Sequence, residues 1–183
     1  MTNGVWLVTG VQAAGKSTIA DLLAREFEHG VHIRGGQFYR WAVKGWVHPN
    51  RELTEEARRL LDLRYRLSAR AAHEYCLAGF TTVVQDNIFG EDVPAWLRDV
   101  DVRPCHLVVL RPSVAVVRER DAARQSSFGK IAYRSDGLNI EELDAVLATT
   151  PKIGLWLDTS GLTPHETVTE IMARRDEADV DPS

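Results

Sequence analysis

The hydrophobic pattern opens on Val5-Trp6-Leu7-Val8, an apolar run closed by Thr9-Gly10. So short a run without polar alternation predicts a strand buried on both faces. Ile19, Leu22, Leu23 and Phe27 then recur at helical spacing, predicting a helix from Ser17 to about Glu28 that stops at His29-Gly30. Val31-His32-Ile33-Arg34 reads as a second strand, and Gln37 to about Trp46 as a helix ending near His48-Pro49. The clearest periodicity follows. From Leu53 through Ala57, Leu60, Leu67, Ala71 and Ala78 the apolar positions fall three or four apart, or a multiple of that. With Arg and Glu between them, they predict one long amphipathic helix before Gly79.

The second half repeats the alternation. Thr81-Thr82-Val83-Val84 is β-branched throughout and ends in Gln85-Asp86-Asn87. A helix near Val93–Val100, a strand at Cys105–Leu110 and a helix from Ser113, an N-cap residue, to about Arg124 come next. Residues 125–137 carry Ser, Gly and basic side chains without periodicity and read as a mobile loop. Ile140–Thr149 returns to helix, Gly154–Leu157 is a fifth strand, and Thr163-Pro164 opens a last helix to about Arg174. Five strands alternating with helices predict an α/β fold, a parallel sheet with helices on both faces. Ligands in such folds collect at the carboxyl ends of the strands. That marks Gly10–Ser17, Gly35–Phe38, Asp86–Gly90, Arg111 and Asp158–Ser160.

Composition narrows the class. A chain of 183 residues suits a single domain over residues 1–175, with a polar tail, 176–183, expected to be disordered. Cys76 and Cys105 are too few for a disulfide framework and point to a reducing cytoplasm. No apolar stretch approaches about 18 residues and the first residues carry no basic region, so neither a membrane span nor a secretory signal is expected. The net charge of −4, from 22 Lys+Arg against 26 Asp+Glu, argues against a chain whose main work is wrapping nucleic acid. The average conceals an uneven distribution. Arg111–Arg134 holds six cationic residues against two acids, whereas the tail after Arg175 holds four acids and no base.

The candidate chemistry begins at the first strand. Gly10-Val11-Gln12-Ala13-Ala14-Gly15-Lys16-Ser17 fits G-x-x-x-x-G-K-[ST], and Thr18 follows. Glycines let successive N–H groups face inward as an anion-binding nest, and the helix behind aims its N-terminal dipole at the same place. Lys16 then reaches the β and γ phosphates and the Ser17 hydroxyl ligates Mg²⁺. Asp86, after the third strand, stands where a second metal carboxylate is expected, holding Mg²⁺ through water or orienting an accepting hydroxyl; the plain alternative is a strand-end cap. Arg120 and Arg124, four apart on one helix face, border the loop that contains Lys130 and Arg134. They suit a lid over about 118–137 that brings guanidinium groups onto charge developing during phosphoryl transfer, the alternative being a solvated face paired with Glu119 and Asp121. His73 with Cys76, and Cys105 with His106, assemble no tetrahedral metal set.

Together with Arg34-Gly35-Gly36-Gln37-Phe38, Leu63-Arg64-Tyr65, Gly79–Gly90 and Gly154–Ser160, these residues resemble the small P-loop kinases of the nucleoside-monophosphate-kinase type. Within them, they look most like the chloramphenicol phosphotransferase-like proteins. The resemblance spans most of the chain, and only the phosphate loop is highly specific. It implies a three-layer P-loop NTPase fold with a five-stranded parallel sheet in the order 2-3-1-4-5. It implies ATP and Mg²⁺ cradled by Gly10, Ala13, Ala14, Gly15, Lys16, Ser17 and Thr18, with Arg120 and Arg124 closing over them. A lid would follow the fourth strand, and cap helices over about 37–78 would hold the phosphate acceptor.

One position departs from the pattern. Relatives carry an Asp just after the second strand, in a Gly-Asp pair, where it takes the proton of the acceptor hydroxyl; this chain has Gly35-Gly36-Gln37. Gln37 can hydrogen-bond a hydroxyl but cannot act as a base near neutral pH. Three accounts stay open: Asp86 takes over, loose phosphoryl transfer makes a strong base less necessary, or the protein binds nucleotide with little transfer.

The acceptor pocket is expected to draw on Gln37, Phe38, Arg40, Arg64, Tyr65, Asn87 and Phe89, with Trp41 and Trp46 in the same stretch. Arg34, Arg40 and Arg64 suit an anionic acceptor, whereas their pairing with acids such as Glu52 or Glu55 would favour a neutral one. The expected function is ATP-dependent transfer of the γ-phosphate to a hydroxyl of a small molecule, antibiotic-like compounds included. Lys16, Asp86, Arg120 and Arg124 are the expected catalytic residues. Competing readings are a nucleotide-binding protein with little transferase activity and a nucleotide or polynucleotide-end kinase. Oligomeric state and preference between ATP and GTP stay open.

Overall fold

The computed structural model describes residues 3–128, 133 and 137–181, the side chains of residues 124, 127 and 128 excepted. Strands β1 (Val5–Gly10), β2 (Gly30–Arg34), β3 (Thr81–Gln85), β4 (Cys105–Leu110) and β5 (Leu155–Leu157) form a parallel sheet in the expected order, β2-β3-β1-β4-β5. β1 and β4 lie mid-sheet with Val5 opposite Cys105 and Gly10 opposite Leu110. Both are buried at all six positions, which is why their sequences lack alternation.

The helices are α1 (Lys16–Arg25), α2 (Gly36–Arg40), α3 (Glu55–Leu77), α4 (Asp92–Val100), α5 (Val114–Phe128), α6 (Ile140–Ala148), α7 (Pro164–Ala173) and α8 (Arg175–Ala178). The crossover from β1 to β2 runs one way along the sheet, and those from β2 to β3 and from β3 to β4 run the other way. Right-handed crossovers therefore place α1 on one face and α3 and α4 on the opposite one. The packing agrees, with α1 against α7 and α3 against α4. β1 and β3 are neighbours whose chains leave in opposite directions, so a crevice opens between their carboxyl ends. Its two walls are pinned together: Thr9 Oγ1 donates to the Ile88 carbonyl at 2.7 Å and accepts from the Ile88 N–H at 3.2 Å.

Helix starts follow their caps. Thr54 Oγ1 accepts from the Ala57 N–H, and Asn139 with Glu142 and Thr163 with Glu166 form capping boxes. No described helix is long and apolar enough to cross a membrane.

Two expectations need correction. The helix expected over 37–46 is confined to α2, ending at Arg40, and Ala42 to Thr54 is neither helix nor strand. Gly45, at φ 84°, stands in a left-handed conformation inside that stretch, and Trp41 and Val43 are exposed rather than packed on the sheet. The tail expected to be frayed instead forms α8 and a sixth strand, β6 (Asp179–Val180), antiparallel to the start of β4 with Cys105 opposite Val180. β5 covers only Val108–Leu110 of the outer edge of β4. The uncovered half needs partners for its backbone groups, and Ala178 and Val180 bury two apolar side chains in supplying them. Part of the expected lid, Lys130 and Arg134 included, falls outside the described residues.

Beside β6 lies a buried histidine. His106 stacks on Trp6 at 4.0 Å between ring centroids, and neither ring nitrogen has a hydrogen-bond partner. Burial, with help from Arg175 and against Asp179 and Asp176, pushes its pKa down to about 4 from 6.5. The unfolded chain therefore binds the extra proton between those values, so stability falls as pH drops from about 6.5 to about 4 and then levels off. The loss from this group is on the order of 3 kcal/mol. His106→Phe keeps the stacked shape and removes both unpartnered nitrogens. Urea unfolding of this variant between pH 4 and 7 is expected to give a flatter stability curve than wild type; parallel curves would count against this cause.

Candidate active site

The turn between β1 and α1 curls as its glycines demand. Gly10 sits at φ 147° with the Leu110 carbonyl oxygen where a Cβ would fall, and Gly15, at φ 95°, is the N-cap of α1. No side chain caps α1, so its first N–H groups are presented to the turn. Ala13, also left-handed at φ 62°, is a strain of about 1 kcal/mol or more, of the kind held at ligand-binding loops. Lys16 is buried, and its Nζ donates to the carbonyls of Gly10 at 2.8 Å and Val11 at 2.7 Å. The turn thus wraps its own ammonium group. Ser17 and Thr18 are exposed at the first turn of α1, and Ser17 Oγ donates to Gln85 Oε1 at 3.1 Å.

Arg120 reaches the turn from α5. Its guanidinium donates to the carbonyls of Ala14 at 3.3 Å and Thr159 at 2.9 Å, joining the phosphate loop to the loop after β5. Arg124 lies one turn further along α5, and its side chain falls outside the described residues. One neighbour was not legible in the sequence. The Tyr133 hydroxyl donates to the Gln12 carbonyl at 2.7 Å, which brings a residue of the expected lid onto the phosphate loop. The Thr159 hydroxyl is buried without a hydrogen-bond partner, although its position after β5 was marked by the strand-end rule.

Asp86 follows β3 on the other wall of the crevice, and its carboxylate is completely buried. Arg64 of α3 grips both oxygens, with Nε 2.9 Å from Oδ2 and Nη2 on Oδ1, and the Asn87 N–H donates to Oδ1 at 2.7 Å. Gly35 makes room for this pair, because a Cβ there would overlap the Asp86 carboxylate. A Cβ on Gly36 would meet only Tyr39 Cε1, at an ordinary 3.5 Å.

This geometry bears on the expectation for the metal and leaves Asp86 only its water-mediated form. Ser17 fits a Mg²⁺ ligand, being an exposed hydroxyl at the head of α1 beside Lys16. Asp86 does not fit as a direct ligand, because Arg64 and the Asn87 N–H already hold its oxygens. Mg²⁺ keeps several waters and takes substrate phosphates, so one protein hydroxyl beside a nucleotide is an adequate share. Among the described residues, no group of three or more His, Cys, Asp or Glu side chains gathers as a metal site.

The expected acceptor residues separate into two kinds. Gln37, Phe38 and Arg40 lie on α2, which follows β2, and Asn87 follows β3; Gln37, Phe38 and Asn87 are half-buried and Arg40 is exposed. Tyr65 is structural: its hydroxyl donates to the Asn87 carbonyl at 2.7 Å, and burial holds its pKa well above the ordinary range. Phe89 packs on the core. Arg64 is paired, but with Asp86 rather than Glu52 or Glu55. Tyr39, not singled out in the sequence, anchors a ring cluster with His48 at 4.7 Å and Trp46 at 6.0 Å, and Arg64 Cζ lies 5.8 Å from its ring centroid.

A further tie runs through α6. Arg111, at the end of β4, makes two bonds to Asp144 at 3.0 and 2.9 Å and holds that carboxyl below its ordinary range. Arg118 of α5 pairs with Glu141, and Arg51 of the 42–54 stretch pairs through two bonds of 2.8 Å with Glu142.

A parallel β2-β3-β1-β4-β5 sheet, a glycine turn wrapped round Lys16 and an arginine from α5 over that turn define a P-loop kinase fold. Residues 5–147 match the model of the AAA domain family, and the chain belongs to that family. No curated protein matches it. Among solved structures it resembles a sugar kinase from Janibacter sp. HTCC2649, at 21% identity and a TM-score of 0.68, over 97% of this chain and 96% of that one. A gluconokinase from Sinorhizobium meliloti 1021 aligns at 20% identity and a TM-score of 0.59, over 94% and 91%. The tunicamycin resistance protein of Deinococcus radiodurans aligns at 15% identity and a TM-score of 0.65, over 98% and 99%. At these identities the likeness is one of fold.

Proposed function

We propose that the chain is a cytoplasmic, ATP-dependent kinase that transfers the γ-phosphate to a hydroxyl of a small molecule. The observation that carries this reading is the phosphate loop itself, with Lys16 buried inside it and Arg120 bonded to its Ala14 carbonyl. In this reading Lys16 leaves the Gly10 and Val11 carbonyls for the β and γ phosphates while the loop N–H groups hold the remaining oxygens. Arg120 stabilises charge on the transferring group. Ser17 is the protein ligand to Mg²⁺, which when bound draws negative charge off the phosphates. Arg64 holds the Asp86 side chain in place at the acceptor mouth, where it orients rather than deprotonates.

The absence of an Asp at position 36 bears on whether transfer occurs at all. A loose transition state places little demand on a base, so the wild-type chain is expected to turn over with Gly36 in place. Gly36→Asp fits the available space. It is expected to change kcat by less than about tenfold in assays of ATP consumption with a panel of hydroxylated acceptors. A gain of about 10²–10⁴, the usual worth of a general base, would mean that the wild type binds nucleotide without useful transfer, and would overturn the reading.

A further inference from the structure

The stretch from Arg34 to Arg51 differs from the rest of this net-acidic chain. It holds the cations Arg34, Arg40, Lys44 and Arg51 and contains no Asp or Glu. Arg51 is turned onto Glu142, and Arg58, the next cation, onto Asp62 and Asp92. Arg34, Arg40 and Lys44 are exposed, and among the described residues no carboxylate stands within salt-bridge distance of them.

Aromatic rings are interleaved with these cations in two separate contacts. Phe38 meets Trp41 edge-on at 5.1 Å, while Tyr39 meets His48 and Trp46. Trp41 is 71% exposed, so the fold gains little from it. The Tyr39 cluster adjoins Arg64, whose Nε is 2.9 Å from Asp86, and so stands at the carboxyl end of β3 where an acceptor must enter.

Exposed Trp41 and His48 stand beside half-buried Phe38, Tyr39 and Trp46 and beside these cations without a carboxylate partner, of which Arg40 lies 5.8 Å from the Tyr39 ring centroid. Such a grouping is the chemistry that holds nucleotides: bases stack on the rings and phosphates take the guanidinium and ammonium groups. A nucleotide uses both kinds of group at full strength, its phosphate the cations and its flat base the rings. Two ring contacts accommodate two bases. Resting on the kinase reading, we infer that the acceptor is a short nucleotide chain with a terminal hydroxyl. Its bases lie on the Phe38–Trp41 and Tyr39–Trp46–His48 contacts and its phosphodiester on Arg40 and Lys44. The terminal hydroxyl oxygen bonds to the γ-phosphorus of ATP, the bond from that phosphorus to the bridging oxygen breaks, ADP leaves, and the hydroxyl proton passes to water.

The test uses the full chain with γ-labelled ATP and four probes: the dinucleotide TpT, a thymidine hexamer with a free 5′-hydroxyl, thymidine, and gluconate. Label is expected on TpT and the hexamer, with a higher KM for thymidine and no labelling of gluconate. Preference for the hexamer would identify a strand end as the source of this chemistry, and equal use a free nucleotide; either outcome supports the assignment. Trp41→Ala and Arg40→Ala, both at exposed positions, are expected to raise the KM for TpT about fivefold or more while kcat stays within about twofold. Added salt is expected to raise the KM for TpT more than that for thymidine. Preferential labelling of gluconate, or a KM for TpT unmoved by both variants, overturns the inference. ATP binding by wild type and Lys16→Ala is measured alongside. Lys16-dependent binding without nucleotide acceptors removes this inference alone, and its absence removes the kinase reading as well.

Discussion

Replacing Arg64 with Ala is expected to cost about 3–5 kcal/mol of folding stability, because it strands the fully buried Asp86 carboxylate without its cation. The Asn87 N–H remains, but a single backbone donor is a small share of what a buried carboxylate loses on leaving water. Typical domains hold only about 5–15 kcal/mol in total, so the variant is expected to unfold at a much lower urea concentration, with the slope of the transition unchanged. A second variant separates the pair from the space it fills. Arg64→Met combined with Asp86→Leu removes both charges, and is expected to recover most of the loss, since buried ion pairs gain little over apolar residues of similar volume. A single-variant loss below about 1 kcal/mol would mean that the pair is screened by water and that Asp86 is more accessible than its burial implies.

The largest effect on activity is expected from Lys16→Ala. The ammonium group sits inside the loop, held by two carbonyls and almost withdrawn from solvent, so it meets phosphate oxygens in a medium where charge is weakly screened. Removing a preorganised group of this kind costs about 10²–10³ in turnover. The variant is expected to fold, because truncation leaves no buried charge behind. Lys16→Arg is not a conservative rescue, since a planar guanidinium is wider than the ammonium that the loop encloses. Single-turnover assays with ATP and Mg²⁺ measure the loss, and turnover within about threefold of wild type would overturn the assignment of this loop to phosphate transfer.

Much of the fold was legible because its cues are local. β1 and β4 read as strands from unbroken apolar runs, α3 from its period, and the phosphate loop from eight consecutive residues. What the sequence concealed depends on distant partners. The bond of Arg64 to Asp86 joins residues 22 apart through the packing of α3 on the sheet, so the more obvious acids near the start of α3 drew attention instead. The aromatic positions after Arg40 have helical spacing, yet Tyr39, Trp46 and His48 satisfy one another, so no helix is needed to bury them. The acidic tail looked soluble and loose because its value lies in two apolar side chains and in the free edge of a strand more than 70 residues earlier. Tyr133 sits in a stretch without periodicity, and only the contact with Gln12 reveals it.

The three carboxylates of α6 have a mechanical meaning. Glu142 holds the stretch that borders the acceptor mouth, Asp144 the end of β4, and Glu141 the helix that carries Arg120. Each tie is partly exposed, and such pairs are individually worth about 0–1 kcal/mol. They therefore tie the three parts loosely, and no single one of them locks the parts together. One short helix thus bears at once on the 42–54 stretch, on the end of β4 and on the helix that carries Arg120.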